Sequence, residues 1–442
     1  MGPMNVPLAL AERNVPRYTS YPTAPHFTAG VGPDTYRDWL GALLSEARLS
    51  LYIHVPFCTE LCHYCGCNTR AIRKQEPVDA YAERLLEEIA LLPGLNGRKL
   101  THLHWGGGTP SILGPAWLET IASALASRFD LSELKEHAIE LDPRRLDRSL
   151  VRALKTIGVN RASLGVQDTS PHVQQAIGRV QPFELVERAA DWLREAGIVN
   201  LNVDLMYGLP TQTVCDVARS AELAASLGGQ RMALFGYAHV PWFKQHQRLI
   251  DDAALPDAAA RLEQAQVASE TLQSFGYQIV GLDHFALPCD ELSVAAREGR
   301  LHRNFQGYTT DEADALIGLG ASAIGRLPQG FIQNAPDLGG YSRAVQAGRF
   351  ATVKGLALSD DDRTRAAIIE RLMCDLAVDL ACFGGGFADE MTELRALAAD
   401  GLLTIDGKRI AITERGRPYV RIAAAVFDTY LAASQKRHSA AV

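Results

Sequence analysis

The sequence has no apolar run near the roughly 20 residues that a helix needs to cross a bilayer, so stable membrane insertion is not expected. It has no basic block: 44 Lys and Arg stand against 51 Asp and Glu, a formal net charge of −7, which makes nucleic acid a poor partner. Its opening residues, MGPMNVPLALAERNVPRY, lack the basic start and apolar core of a secretory signal, so secretion is not expected. Low-complexity tracts and solenoid-type repeats are missing as well. What is present is ordinary for a globular protein: 442 residues, 47% hydrophobic and 21% charged, long enough for two or three domains.

The eight cysteines fall into two groups. Cys215, Cys289, Cys374 and Cys382 are scattered singles, so there is no second C-x2-C pair to close a structural zinc site. A disulfide frame is not expected in so long a chain without a secretory signal. Cys58, Cys62, Cys65 and Cys67 crowd into residues 51–70, LYIHVPFCTELCHYCGCNTR, with the spacing C-x3-C-x2-C-x-C. The apolar, β-branched start of this stretch reads as a strand, which leaves the cysteines on the loop after it. A loop can curl so that three thiolates face one object, as a straight strand cannot. A dithiol redox motif needs only two of the four, whereas thiolates are the usual ligands of iron–sulfur clusters. The spacing favours a cluster over zinc or inert thiols. If three cysteines hold a four-iron cluster, one iron stays open to a substrate or cofactor. Free thiols and an oxygen-sensitive cluster both point to the cytoplasm.

From residue 51 to about 240 a strand–helix alternation recurs. Strands are expected over 51–55, 100–105, 138–141, 161–166, 200–206 and 233–237, with helices over 77–92, 116–128, 148–157, 184–196 and 214–226. Such alternation predicts an α/β fold with a parallel sheet and helices outside, and six units fit a partial (β/α)6 barrel. Chemistry then gathers at the carboxyl ends of the strands.

The informative residues fall there. Gly106-Gly107-Gly108-Thr109 follows the second strand; three glycines make a tight turn or leave backbone open to a ligand. Glu140 ends the third strand, as a solvated acid or as an acceptor for ribose hydroxyls. Gln167 and Asp168 close the fourth strand, and Arg179 follows. Asp204 lies within an otherwise apolar strand, where an unpaired acid is costly, so it faces a polar cavity or pairs with a cation such as Arg179. Tyr237-Ala238-His239 ends the sixth strand.

Residues 1–50 read as an arm, with RYTSYPTA at 17–24 and an amphipathic helix over 34–47. Residues 51–350 read as the main domain. Within it, a helix is expected over 255–275 and a short strand over 277–280; LHRNFQGYTT at 301–310 mixes polar, aromatic and basic types, which suits a pocket for a large flat substrate with carboxylate arms. Residues 351–442 read as a small, mainly helical domain. There SDDDR marks a helix start, Asp406-Gly407 turns a hairpin and one helix covers roughly 416–433, a winged-helix-like pattern serving as a lid or for packing.

The C-x3-C-x2-C triad resembles the signature of the radical S-adenosylmethionine (SAM) enzymes. The added Cys67, RYTSYPTA, DHFA at 283–286, LHRNFQGYTT and GLGASAI at 318–324 resemble the oxygen-independent coproporphyrinogen III oxidases, and the resemblance covers residues 17–430. It implies a partial (β/α)6 radical SAM barrel and a [4Fe–4S] cluster on Cys58, Cys62 and Cys65. SAM would chelate the open iron, and a second SAM molecule would bind beside the first. It implies cofactor contacts at Tyr52, Gly107, Gly108, Thr109, Glu140, Ala238 and Ile324, and second-SAM contacts at Tyr64, Gln167, Arg179 and Asp204. Tyr64 departs from the Phe often found there. His54 has a role near the cluster, in proton handling or as a supporting core histidine; Cys67 is catalytic or structural.

The implied reaction is oxidative decarboxylation of coproporphyrinogen III to protoporphyrinogen IX, two propionates becoming vinyls, in haem synthesis. The propionate β-carbon has an unactivated C–H bond that no side-chain base removes near pH 7, and a radical cofactor avoids that step. An electron donor and an acceptor are required, neither identified by the sequence, and the family suggests a monomer. The alternatives are a haem-binding, chaperone-like relative without oxidase activity, a radical SAM enzyme with another substrate, such as a methyltransferase, and a zinc-stabilised structural protein.

Overall fold

The computed structural model describes residues 8–433. Six strands lie where the alternation predicts them: β1 (Leu49–Val55), β2 (Arg98–Gly107), β3 (Glu136–Leu141), β4 (Arg161–Gln167), β5 (Asn200–Tyr207) and β6 (Arg231–Gly236). They are followed in turn by α1 (Glu76–Leu91), α2 (Gly114–Ala126), α3 (Arg148–Thr156), α4 (Phe183–Glu195), α5 (Val214–Ser226) and α6 (Ala258–Ser274). All neighbours in the row β1-β2-β3-β4-β5-β6 pair in parallel, which requires crossover helices. Antiparallel β7 (Gln278–Val280) and β8 (His284–Ala286) extend the β6 edge. Residues 301–310, whose mixed composition suits a pocket, form a hairpin, β9 (His302–Asn304) and β10 (Gly307–Thr309). Beyond β1 the sheet gains β11 (Ala315–Leu319), also parallel, then antiparallel β12 (Ile324–Leu327), β13 (Gly330–Asn334) and β14 (Thr352–Ala357).

Strand alternation divides the sheet into a dry face and a wet one. In β4, Ala162, Leu164 and Val166 are buried against the helices, as are Leu201, Val203 and Leu205 in β5. The residues between them, Ser163, Asn202 and Asp204, face a cavity of about 170 Å³ inside the curved sheet. At its amino end Glu136 accepts hydrogen bonds from Arg161 Nε (2.8 Å) and Arg231 Nη1 (3.2 Å), and Asp290 accepts one from Arg231 Nε (2.7 Å). Burial pushes Glu136 up, but the two arginines outweigh it and hold its carboxyl down at about 2.

A second core unites the C-terminal region with the arm. Ala11, Val15, Tyr18 and Tyr21 pack with Ile368, Leu372, Leu394 and Phe427. Its elements are α7 (Asp360–Asp375), started by a Ser359–Asp362 capping box, and a small sheet of β15 (Ala377–Asp379), β16 (Leu403–Asp406) and β17 (Arg409–Ile412). The hairpin expected at Asp406-Gly407 is present, with Gly407 at φ 58°. The single helix expected over 416–433 is not. It divides into a turn at Arg417–Tyr419 and helices Val420–Ala425 and Thr429–Ala433. The break falls at Asp428, whose carboxylate accepts from the amides of Tyr430 and Leu431 and from Tyr18 Oη (3.0 Å). The helix expected over 34–47 ends early, spanning Pro33–Gly41; tight turns then bury Leu43 and Ala47 and leave Leu44 68% exposed.

Candidate active site

The cysteine loop leaves the carboxyl end of β1 and is held on three sides. The Phe57 and Cys58 backbone pairs with Arg70 and Ala71. The amides of Gly108 and Thr109 donate to Val55 O (2.8 Å) and Phe57 O (2.7 Å), and the His63 amide donates to Ile177 O (2.9 Å). A strap after β6 closes the third side: Gln247 Nε2 donates to Tyr64 O (2.9 Å), His246 Nε2 to Cys65 O (2.7 Å) and Lys244 Nζ to Cys67 O (2.8 Å). Cys62 is buried, Cys58 and Cys65 are half-buried and Cys67 is exposed.

The glycine run continues β2 rather than turning it, with Gly107 at φ 112°. The room it leaves is filled by neighbouring side chains. A Cβ on Gly106 would lie 2.9 Å from both Tyr52 and Glu140 Oε1, one on Gly107 would strike the His54 ring, and one on Gly108 would meet Thr69 and the Phe57 carbonyl. Glu140 accepts from the Gly107 amide (3.0 Å) and His104 Nε2 (3.3 Å). Burial raises its carboxyl, and the hydrogen bonds and charge from His104, with the Gly107 amide, overcome that and hold it below its usual range. Tyr52 Oη donates to His54 Nδ1 (3.0 Å), while His54 Nε2 donates to Asn68 O (2.9 Å). These two bonds set one neutral tautomer, and burial pushes the imidazole pKa down.

Of the two environments expected for Asp204, the polar cavity is the one found. Its carboxylate accepts from Ser163 Oγ (2.8 Å) and Asn202 Nδ2 (2.8 Å), and burial pushes it up to about 6. Arg179 pairs with Asp142 (3.4 Å) and donates to Gly165 O (2.7 Å). Gln167, at φ 69°, overlies Gly165 together with Arg179. Ala238 O accepts from Gln247 Nε2 (3.2 Å), and Ile324 opens β12 beside Gly318. Most candidates thus lie on one rim, at the carboxyl ends of the parallel strands, with Tyr52 and Asp204 deeper within β1 and β5.

Among the side chains bearing on the loop, Thr69, Asp142 and Arg144 join the expected Thr109 and Arg179 without a motif of their own. Thr109 and Thr69 Oγ1 lie 3.4 and 3.3 Å from Cys58 Sγ, and Arg179 Nη1 lies 3.6 Å from Cys62 Sγ, with Arg144 Nη2 farther out at 4.0 Å. Asp142 holds both arginines. The one available signal was position: Asp142 and Arg144 directly follow the third strand.

The donor set suits a cluster. Hydroxyls and guanidiniums directed at sulfur stabilise thiolates and tune a cluster's potential. Among the described residues, no group of three or more His, Cys, Asp or Glu is arranged to hold a single metal ion. Cluster thiolates bind different irons, so they do not need the sulfur spacing of about 3.8 Å that a tetrahedral zinc site with 2.3 Å bonds imposes.

The fold and this loop define a class, and similarity to known proteins agrees with it. Residues 52–224 match the model of the Radical SAM superfamily, and residues 358–419 match that of the HemN C-terminal domain. The chain is 47% identical to the oxygen-independent coproporphyrinogen III oxidase of Bradyrhizobium diazoefficiens, over 98% of this chain and 99% of that one. It is 40% identical to the protein of the same name from Escherichia coli, over 94% and 93%. The solved structure of coproporphyrinogen III oxidase (HemN) from Escherichia coli, a radical SAM enzyme, superposes with a TM-score of 0.89 at 38% identity, covering 95% of this chain and all of that one. This chain belongs to the oxygen-independent coproporphyrinogen III oxidase family, whose superfamily works with a [4Fe–4S] cluster and SAM.

Proposed function

We propose that this chain catalyses the anaerobic oxidative decarboxylation of coproporphyrinogen III to protoporphyrinogen IX, as an oxidoreductase of haem biosynthesis. The observation that carries this reading is the shared rim: the cysteine loop, the glycine run and Glu140 stand at consecutive carboxyl strand ends, with Arg179 bearing on the loop at Cys62 and Asp204 facing the cavity beneath. Cys58, Cys62 and Cys65 hold the cluster, with Thr69, Thr109 and Arg179 donating to their sulfurs. Cluster and SAM together supply the radical chemistry that an unactivated propionate C–H bond requires.

The remaining roles belong to the chain's own side chains. Tyr52 and Glu140 line the SAM position, and Glu140, ionised and anchored by the Gly107 amide, offers its free lone pairs to ribose hydroxyls. Gly107, Gly108, Thr109, Ala238 and Ile324 present backbone to the same ligand. Tyr64, Gln167, Arg179 and Asp204 surround a second SAM position. His54, hydrogen-bonded through both nitrogens, is a positioning residue that ties β1 to the loop at Asn68. Cys67 stands outside the ligand triad, exposed, and serves turnover rather than cluster binding. The enzyme works as a cytoplasmic monomer with a separate electron donor and acceptor.

The test is anaerobic reconstitution followed by incubation with SAM, reductant, an electron acceptor and coproporphyrinogen III. Protoporphyrin formed together with 5′-deoxyadenosine is the expected result. Deoxyadenosine without protoporphyrin points to another substrate, and tight haem binding with neither product points to the haem-binding relative.

A further inference from the structure

Behind β1 and β11 lies a buried acid that no step above uses. Glu88 belongs to α1 and is 2% exposed. Tyr81 is buried on the same helix, seven residues earlier and so two turns along one face. From this face the helix reaches two strand ends. Tyr81 Oη donates to His54 O (2.6 Å), near the end of β1, and accepts from the Ala321 amide (3.0 Å), just past β11. Glu88 Oε2 accepts from the Gly320 amide (2.7 Å), and Oε1 from Asn334 Nδ2 (2.7 Å) at the end of β13. Asn334 Nδ2 also reaches Gly320 O (3.0 Å). Gly320 is at φ 94°, and a Cβ there would strike both Tyr81 and the His54 carbonyl.

The turn gripped in this way leads straight into Ile324 at the start of β12. Within it Ser322 lies at φ 65°, a left-handed backbone that a residue with a Cβ keeps only where its surroundings impose it. The segment after β13 also holds the cysteine loop: Asn68 Nδ2 donates to Pro336 O (3.2 Å), and Asn68 O accepts from His54 Nε2. The turn and the cysteine loop thus share one framework, with Glu88 and Tyr81 between them.

Stability alone does not explain a carboxylate at this place. An apolar side chain of similar volume often serves folding as well as a buried ionisable group or better. Burial pushes Glu88 up to about 7 against the pull of its three donors. What a carboxylate provides is acceptance of several donors at fixed positions: the Gly320 amide, Asn334 and Tyr341 Oη (2.8 Å), which comes from the helix Leu338–Gln346.

We propose that Glu88 and Tyr81 are positioning residues that set the turn at 320–324 against the cysteine loop, and so fix where SAM lies relative to the cluster. The proposal rests on the SAM reading, in which Ile324 presents backbone to that ligand, and adds to it the residues that place this backbone.

Two readouts independent of turnover test it on reconstituted protein: SAM affinity by equilibrium dialysis, and amide hydrogen exchange over 318–324 without SAM. Glu88→Met removes every acceptor and should weaken SAM binding by on the order of tenfold, the usual effect of a lost buried hydrogen bond, with faster exchange in the turn. Glu88→Gln, which keeps one acceptor oxygen, should recover part of the affinity. Tyr81→Phe leaves the carboxylate whole but frees the Ala321 amide, and it should weaken SAM binding and speed exchange likewise; it carries the test if Glu88→Met does not fold. Tyr341→Phe removes a donor to the same carboxylate and leaves the Gly320 and Asn334 bonds in place. It should lower the unfolding midpoint and keep SAM affinity near that of wild type. If wild type binds SAM, a folded Glu88→Met or Tyr81→Phe variant that binds it equally well overturns the proposal. So does an equal loss of affinity in Tyr341→Phe, which would reduce the effect to stability, or weaker binding without faster exchange in the turn. A wild type with a full cluster that does not bind SAM defeats the SAM reading itself, and the proposal falls with it.

Discussion

Two arginine-rich groups sit at opposite ends of one barrel. At the amino end, Arg161 and Arg231 face Glu136 and Asp290, two cations and two anions. At the carboxyl end, Arg303 faces Asp283 (3.7 Å) with Arg17 and Arg421 nearby, and Arg261 stands over the Tyr207 ring. Single nitrogens are left over in both, Arg161 Nη1 and Arg231 Nη2 as well as Arg303 Nε, so a leftover donor does not distinguish them. The kind of partner does. At the floor cation meets anion, whereas at the rim guanidiniums also meet backbone carbonyls and aromatic rings. The electrostatics agree: the lower arginines pull Glu136 down to about 2, while burial, with Arg17 adding to it, pushes Arg421 down to about 10.

The sharpest way to separate rim from floor is to remove one of the three cysteines proposed to hold the cluster. Cys62→Ser should abolish turnover and lower bound iron and the cluster absorbance, yet leave the unfolding midpoint of the apoprotein nearly unchanged. The floor should behave in reverse. Arg231→Met leaves two buried acids, Glu136 and Asp290, to share Arg161 alone, and a loss of about 3 kcal/mol is expected by chemical denaturation. Arg421→Met, at the rim, should stay within about 1 kcal/mol of wild type, because it relieves like-charge repulsion as it removes contacts; equal losses at both ends would erase the distinction. Cys67→Ser should retain full iron content with turnover strongly reduced, and loss of the cluster would return Cys67 to the ligand set.

The smallest effect concerns pH. Asp204 titrates near 6 in the fold against an ordinary 3.8, so between these values the folded protein holds a proton that the unfolded chain has released. Its contribution therefore weakens folding as pH rises through this window and stays unfavourable above it. Asp204→Asn should gain on the order of 1–2 kcal/mol at pH 8 and nothing below pH 4, measured as denaturation midpoints against pH.

Much of the barrel was legible because period and punctuation are local properties. Six strands and five helices stand within a few residues of their expected positions, since alternating Leu, Val and Ile must bury one strand face. The cysteine spacing likewise named its loop. Failures came where a distant partner decided the outcome. Nothing near residue 428 foretells that Tyr18 will reach it and that the last helix will break there. Nor does the run at 106–108 foretell which side chains come close to it, Tyr52, His54, Thr69 and Glu140.

By itself, then, the sequence determined the parallel barrel, the cluster loop and the family, because hydrophobic period and ligand spacing are written over short stretches. The tertiary structure alone decided what surrounds the sulfurs and what meets at the rim. Arg144 and Arg179 bear on Cys62, Lys244 and His246 strap the loop, and Arg17 joins Arg303 across 286 residues. Electrostatic pairing depends on distance through space, and only the folded chain sets that distance.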